Sequence, residues 1–474
     1  MINFLKTLMA VFLCFGISSC AVGPDYNHPD NNFLENWFSP NKKSMSTEAI
    51  KTDWWSVFKD PQLEHYIHEA ALQNKDIKIA TANVLRARAL RRESGAALLP
   101  QIGSAGSAAR SKGSDNLSAS GNAQTQSFFD AGFDASWEAD IFGGSRRAVE
   151  ASEARIGSAL AAYNDVMLSV FSEVARNYYE ARGLQKRIAI TEENAALFRK
   201  TADLIEARME AGESSEFDLL RAQGQYQLTR ARLPNLNADL HATIFNLSVL
   251  VGQPPEYLLQ QMKDSKALPT PPDIVPVGLR SDLLRRRPDI RQAERELAAS
   301  VADIGVETSD LFPKFFLTGD AGSEARVFGD LFNAAGGFWS FGSLIEWPVF
   351  EGGAIRARIA ATEAESQAAL ATYEKTVLEA LADTESALTR YGEELETRRR
   401  LEEGVQSRRR SATLAQQLFD AGEQDYLAVL DAERELTASE DDLVISETQS
   451  ITKLIALYTA LGGGWEIFEA QPIQ

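Results

Sequence analysis

The sequence predicts a mainly α-helical chain that carries a transmembrane β-barrel. Three observations predict it: the chain is two copies of one unit, each copy holds a proline-free helical run of about 67 residues, and each holds a strand pair, the first strand of the first pair weakly patterned and assigned mainly by pairing with its alternating neighbour. Asp76-Ile77 with Ala80 returns as Asp289-Ile290 with Ala293, and Leu99-Pro100 as Phe312-Pro313. Glu138, Ile141-Phe142 and Gly143-Gly144 return as Glu346, Val349-Phe350 and Gly352-Gly353. Ala211-Gly212-Glu213, with Leu220 and Ala222, returns as Ala421-Gly422-Glu423 with Leu430 and Ala432. The order is kept at a separation of roughly 210 residues, so each half reads as helix, strand, strand, long helix, return helix.

The amino terminus reads as a signal peptide over residues 1–19, with Lys6 before an apolar stretch from Leu8 to Ile17. Ile17-Ser18-Ser19-Cys20 has the form of a lipobox, which makes Cys20 the expected lipidation site. The other cysteine, Cys14, lies in the removed segment, so no intrachain disulfide is possible in the mature chain, and acylation occupies the remaining thiol. No other segment reaches about 18 consecutive apolar residues, so any membrane crossing is expected to use strands.

From about Pro61 to Leu98 the apolar pattern is helical and stops at Pro100. Strands are expected at about 101–112 and 127–138. In the second of these, Phe129, Ala131, Phe133, Ala135 and Trp137 alternate with Asp130, Gly132, Asp134, Ser136 and Glu138. Their counterparts are expected at about 313–323 and 338–348, where Phe315, Leu317, Gly319 and Ala321 share one face and Trp339, Phe341, Ser343, Ile345 and Trp347 another. Ser111–Gln126 and Ala325–Gly337 read as surface loops.

After each Gly-Gly turn the expected element is a helical hairpin, at about 145–250 with its tip at Gly212 and at about 354–461 with its tip at Gly422. A run of about 67 residues is about 100 Å long at 1.5 Å per residue, too long for a compact domain. Ala148, Ala151, Ala159, Ala162, Val166, Val170 and Val174 recur at the three- and four-residue spacing of a packed seam. Pro234 is expected to kink the first return helix. The first repeat thus covers 61–252 and the second 285–461. Residues 20–60, the linker at 253–284 and the tail at 462–474 flank them and contribute to an equatorial belt.

Four strands cannot seal themselves in hydrocarbon, where every backbone donor and acceptor must be paired, so copies of the chain must share one barrel. Two copies give eight strands and three give twelve; polar inner faces and long helices favour three.

The formal net charge of −19 excludes nonspecific nucleic-acid binding, which needs clustered Lys and Arg. Arg285-Arg286-Arg287 reads as a solvated or carboxylate-paired run, and His65 and His68 lack further ligands for a metal. No phosphate loop or hydrolase elbow occurs, so neither an enzyme nor a cofactor is expected.

Cys20-Ala21-Val22-Gly23-Pro24-Asp25-Tyr26, Trp54-Trp55 with Phe58, Asp60-Pro61-Gln62-Leu63, and Ser281 through Ile290 together resemble the outer-membrane efflux protein family, the TolC-like outer membrane factors, in the lipoprotein branch related to NodT and OprM. The resemblance covers essentially the whole chain. It implies a homotrimer with a twelve-stranded barrel and a twelve-helix periplasmic tunnel, docked to a periplasmic adaptor (membrane fusion protein) and an inner-membrane RND transporter. It places the adaptor contact around Gly212-Glu213 and Gly422-Glu423. Arg208, Gly212, Asp218, Leu220, Ala222, Gly422, Leu430, Asp431 and Ala432 match aperture motifs, and the gate candidates it implies are Asp218, Asp431 and Phe419. Phe419 stands where TolC has a tyrosine and Ala428 where it has an aspartate. Asp218 and Asp425 also suit the caps of the return helices. The implied function is passive exit of drugs or other toxic small molecules from a tripartite pump. The alternatives are the exit duct of a type I protein-secretion system and a surface adhesive lipoprotein.

Overall fold

The computed structural model describes residues 21–29, 37–38, 45–46, 48, 51–114, 116, 123–272 and 274–468; the signal segment and the lipidation site Cys20 lie outside the described residues. In chain order the elements are the two-residue strand β1 (Met45–Ser46), α1 (Pro61–Gln73), α2 (Lys75–Ala96), β2 (Gln101–Lys112), β3 (Thr125–Ala139), α3 (Gly144–Glu210), α4 (Glu216–Arg230) and α5 (Leu233–Leu250). There follow β4 (Val275–Pro276), α6 (Leu283–Arg286), α7 (Pro288–Ser309), β5 (Lys314–Ala325), β6 (Gly337–Glu346), α8 (Ala354–Asp420) and α9 (Tyr426–Ala460).

The two long helices, α3 and α8, are 67 residues each. Two expected runs are interrupted, each for a local reason. The run from Pro61 breaks at Asn74, whose extended backbone ends α1 while its side chain starts α2: Oδ1 accepts from the amides of Asp76 (2.8 Å) and Ile77 (3.1 Å). Asn74 Nδ2 donates to the Leu250 carbonyl at 2.8 Å, tying the break to the end of α5. The first return helix separates into α4 and α5 rather than bending, because Pro234 has no N–H to donate and fits instead the first turn of a new helix. Its repeat counterpart, α9, has no proline and runs unbroken for 35 residues.

The chain forms two compact units, one from the described residues of Met1–Asp30, Asn83–Leu160 and Gln292–Glu374, the other from those of Asn31–Ala82, Ala161–Arg291 and Lys375–Gln474. In the first, four antiparallel strands pair in the order β2-β3-β5-β6, leaving β2 and β6 as edges. The register puts Ile102, Ala135, Gly319 and Phe341 in one row, and Ser104, Phe133, Ala321 and Trp339 in another of the same face. That face is apolar and bare: Ile102 is 74 %, Phe133 67 %, Phe341 73 % and Trp339 80 % exposed. The opposite face carries the strands' carboxylates, with Phe128, Phe338 and Leu344 toward its margins. Asp130 stands across from Glu324 and Asp134 from Asp320, while Ser107 donates to Asp130 and Ser340 to Asp320. Carboxylates directly opposite one another repel, an arrangement that only a water-facing surface tolerates.

Two tryptophans, one in each half near matching strand ends, pin the turns where helix becomes strand. Trp137 Nε1 donates to Leu98 O at 3.0 Å and Trp347 Nε1 to Leu311 O at 3.1 Å, each carbonyl lying two residues before a proline. Phe142 stacks on Phe312 at 4.6 Å beside them.

The second unit has an aromatic core. Trp54 stacks on Tyr458 at 5.6 Å, Trp55 packs against Phe171 and Phe468, and Phe58 meets Tyr179. Asp60 caps α1 through the Gln62 amide (3.0 Å) and accepts from the Tyr178 hydroxyl at 2.6 Å. Arg182, 1 % exposed, keeps its charge solvated by neutral oxygens, donating to Gln185, Gln62 and the Asp264 carbonyl, with Tyr178 under its guanidinium at 5.1 Å. Arg286 and Arg287 of the basic run pair with carboxylates: Arg286 with Glu466 at 3.3 Å, and Arg287 with both oxygens of Asp289 at 3.0 and 2.6 Å. Arg287 also donates to the Ala460 carbonyl at 3.1 Å, an acceptor at the end of α9 that it shares with the Thr384 hydroxyl (3.1 Å), and lies 3.5 Å from Asp383. Replacing Arg287 with Met leaves Asp289, Asp383 and the Ala460 carbonyl without this donor. Thermal unfolding followed by circular dichroism is expected to show a loss of about 1–3 kcal/mol, below the full buried-pair value because the aspartates are partly solvated.

Candidate functional site: the hairpin tips

Each long helix ends in the same hydrogen-bonded motif. Gly212 N–H donates to Met209 O at 2.9 Å and Glu213 N–H to Arg208 O at 2.8 Å; Gly422 N–H donates to Phe419 O at 3.0 Å and Glu423 N–H to Leu418 O at 2.9 Å. The glycines have φ of +76° and +77°, and a Cβ built on either meets nothing within 4 Å, so glycine is required by torsion and not by crowding. All four tip residues, Gly212, Glu213, Gly422 and Glu423, are exposed.

The return helices start differently. Ser215 and Asp218 form a reciprocal capping box on α4: Ser215 Oγ accepts from the Asp218 amide at 3.2 Å, and an Asp218 carboxylate oxygen accepts from the Ser215 hydroxyl at 2.6 Å and its amide at 3.4 Å. Asp425 caps α9 by accepting from the Ala428 amide at 3.2 Å. Asp218 thus holds a helix start, whatever else its charge does. Asp431 is exposed and makes no hydrogen bond or ion pair among the described residues. No hydrogen bond or ion pair among the described residues links Asp218 to Asp431.

Phe419 lies inside the tip rather than on its surface. It belongs to a core of Phe198, Ala202, Ile205, Leu219, Ala222, Tyr426, Val429 and Leu430, which brings both hairpins together. The Arg208 guanidinium sits over the Phe419 ring at 4.3 Å and lies 3.9 Å from Asp420, so one cation links α3 to α8. Of the aperture-motif residues, Ala222 and Leu430 are buried, whereas Leu220 is 59 % exposed.

Sequence reasoning passed over two buried polar groups, Tyr426 in this core and Glu433 further along the same helix. They lie seven residues apart on α9, with Leu430 between them at helical spacing, and a carboxylate at that apolar position was the available signal. Glu433 is 8 % exposed, and its Oε2 and the Tyr426 hydroxyl are buried without a hydrogen-bond partner. Burial pushes the Glu433 carboxyl up from 4.5 to about 7. The Tyr426 hydroxyl is pushed up to about 12 by burial first and then by the charges of Glu433 and Asp218, against an opposing pull from Arg221.

A carboxyl with a raised pKa binds its proton more tightly in the packed tip than when released. The tip packing is therefore fully stabilised below about pH 4.5 and loses that contribution as pH rises through about 7. The span amounts to about 3 kcal/mol at most, comparable to burying one large apolar side chain. Hydrogen exchange at the first turns of α9, corrected for intrinsic rates, is expected to quicken across this range in the native chain and to lose that dependence in Glu433→Gln. An equal pH slope in both would contradict the assignment.

Comparison with known proteins matches residues 66–253 and 279–463 to the family described as Outer membrane efflux protein. The chain is 31% identical to the solvent efflux pump outer membrane protein SrpC of Pseudomonas putida over 469 residues, covering 97% of this chain and 98% of that one. It is 30% identical to nodulation protein T of Rhizobium leguminosarum bv. viciae over 460 residues, 97% of this chain and 93% of that one. The solved outer-membrane channel OprN superposes with a TM-score of 0.89 at 35% identity, covering 94% of this chain and all of that one. With repeat, open-edged sheet and paired hairpins matched over nearly its full length, this chain belongs to the outer membrane efflux protein family.

Proposed function

We propose that the chain is the outer-membrane exit duct of an RND-type tripartite efflux pump, a homotrimer that passively conducts toxic small molecules from periplasm to exterior. The observation that carries this reading is the four-stranded sheet with one bare apolar face, one carboxylate-rich face and two open edges. In hydrocarbon those edges must be paired, and three copies joined β2 to β6 make a closed twelve-stranded wall. Relatives named for solvent efflux support a small-molecule cargo.

In this reading Cys20 carries the lipid anchor. Its neighbours support that: the Val22 amide donates to Phe142 O at 3.0 Å, and Arg147 donates to Val22 O at 3.1 Å and Asp25 Oδ1 at 2.6 Å, beside the turn after β3. The periplasmic adaptor engages the exposed tips at Gly212, Glu213, Gly422 and Glu423, and the inner-membrane transporter supplies the energy. Asp218, Asp431 and Phe419 control the aperture, the aspartates by charge and Phe419 by holding the two hairpins together.

Purified chain is expected to form ion-conducting pores in planar bilayers, and Asp218→Ala with Asp431→Ala to raise single-channel conductance. Ser215→Ala serves as the control, since it removes the cap, worth about 1 kcal/mol, and keeps both carboxylates. Unchanged conductance in the double variant rejects the gate. In the native host, deletion is expected to raise intracellular accumulation of toxic small molecules; retention of an exported protein instead would favour the secretion reading.

A further inference from the structure

The connection between β5 and β6, residues 326–336, does not continue outward from the strand ends. It carries two short 3₁₀ turns, Phe328–Phe332 and Ala334–Gly336, and folds back over the sheet. The Phe328 ring meets Phe129 edge-on at 5.6 Å, and Phe332 meets Phe328 at 5.8 Å. Phe129 shares its face with Phe133 and Trp137, so the connection lies on the apolar side. A second contact agrees. Ser323 belongs to the same face as Ala321, its hydroxyl is buried without a partner, and it lies 2.6 Å from where a Cβ on Gly336 would stand. The strands it covers, β3 and β5, are the two inner strands of the sheet, away from the edges that sister chains would join.

The connection turns three apolar side chains outward, Val327 at 62 %, Phe328 at 60 % and Phe332 at 78 % exposure, interleaved with exposed Arg326, Asp330 and Asn333, the mixed polarity an interface accepts. Its height follows from strand geometry. Trp137, fixed at the helix–strand turn, and Phe129 are eight residues apart on β3. That is about 27 Å along the strand, or about 20 Å along the membrane normal at a tilt of about 40°. An outer-membrane barrel has an apolar band about 25 Å tall with aromatic girdles at both rims, so if Trp137 marks the inner rim, Phe129 and the rings on it stand at the outer one. Irregular backbone is excluded from the hydrocarbon itself, and three large bare apolar side chains are unsuited to bulk water. The boundary between headgroups and acyl chains suits both.

We propose that residues 326–336 form an interfacial wedge that inserts Val327, Phe328 and Phe332 into the outer leaflet at the top of its acyl chains and sets the depth of the barrel. The occupant is lipid, because the wedge continues the lipid-facing surface of the sheet; the inference rests on the membrane-wall reading above.

A nitroxide is placed at Phe332→Cys in the full trimeric chain reconstituted into phosphatidylethanolamine–phosphatidylglycerol vesicles, with the unsubstituted chain as the labelling blank. Phe133→Cys reports the lipid face and Glu213→Cys the aqueous tip. Position 332 is largely exposed, so the label displaces little packing. Collisions with oxygen are expected to match those at 133, and collisions with a water-soluble nickel chelate to fall several-fold below those at 213. Nickel access at 332 equal to that at 213 puts the segment in water and overturns the wedge. Protection from both reagents puts it under protein and overturns it equally. Nickel access at 133 itself overturns the membrane-wall reading and the wedge with it.

Discussion

A backbone amide or carbonyl without a partner is tolerable in water and prohibitive in hydrocarbon, and this difference governs the architecture. Each repeat supplies two strands, and the two repeats together supply four whose inner pairs are satisfied and whose outer edges are not. A chain built this way is not finished alone. Duplication doubled the strands but could not close them, so closure passes to the assembly, in which we propose that β2 of one copy meets β6 of another. The alternation of side chains along each strand then gives lipid an apolar face and the lumen a face of carboxylates and hydroxyls.

The helical part solves a different problem. Helices of 67 residues satisfy their own backbones, so their cohesion depends on side chains. In the second unit that cohesion is a mixture: an aromatic core around Trp54, Trp55 and Tyr458, and ion pairs that join helices along their length, Arg187 with Asp441, Lys186 with Glu447 and Lys453 with Glu394. At the tips a small apolar core joins the hairpins under the Arg208–Asp420 pair, and on the same helix as Tyr426 and Leu430 the buried Glu433 carboxyl leaves one oxygen without a partner.

The repeats agree where the physics is shared and differ where it is not. Trp137 and Trp347 make the same bond to corresponding carbonyls, and both tips close with the same left-handed glycine. The return helices diverge through one residue, Pro234, which has no counterpart in α9. The caps diverge too, a reciprocal Ser215–Asp218 box in one half and a lone Asp425 in the other.

Local chemistry was legible in the sequence. The alternation from Phe129 to Glu138, the proline-free runs, the tip glycines and the twofold repeat each follow from constraints acting over a few residues, and so could be read without knowing what lay across from them. The break at Asn74 was equally local and was missed, because an asparagine inside an apolar period gives no sign of whether its side chain will turn back to cap. Other features depend on residues remote in the chain. Phe419 lies under Arg208 because two hairpins pack, Arg287 reaches the Ala460 carbonyl because helices from different segments meet, and Glu433 is buried with one carboxylate oxygen left without a partner. Burial and pairing are properties of the neighbourhood, and the neighbourhood exists only once distant segments have met.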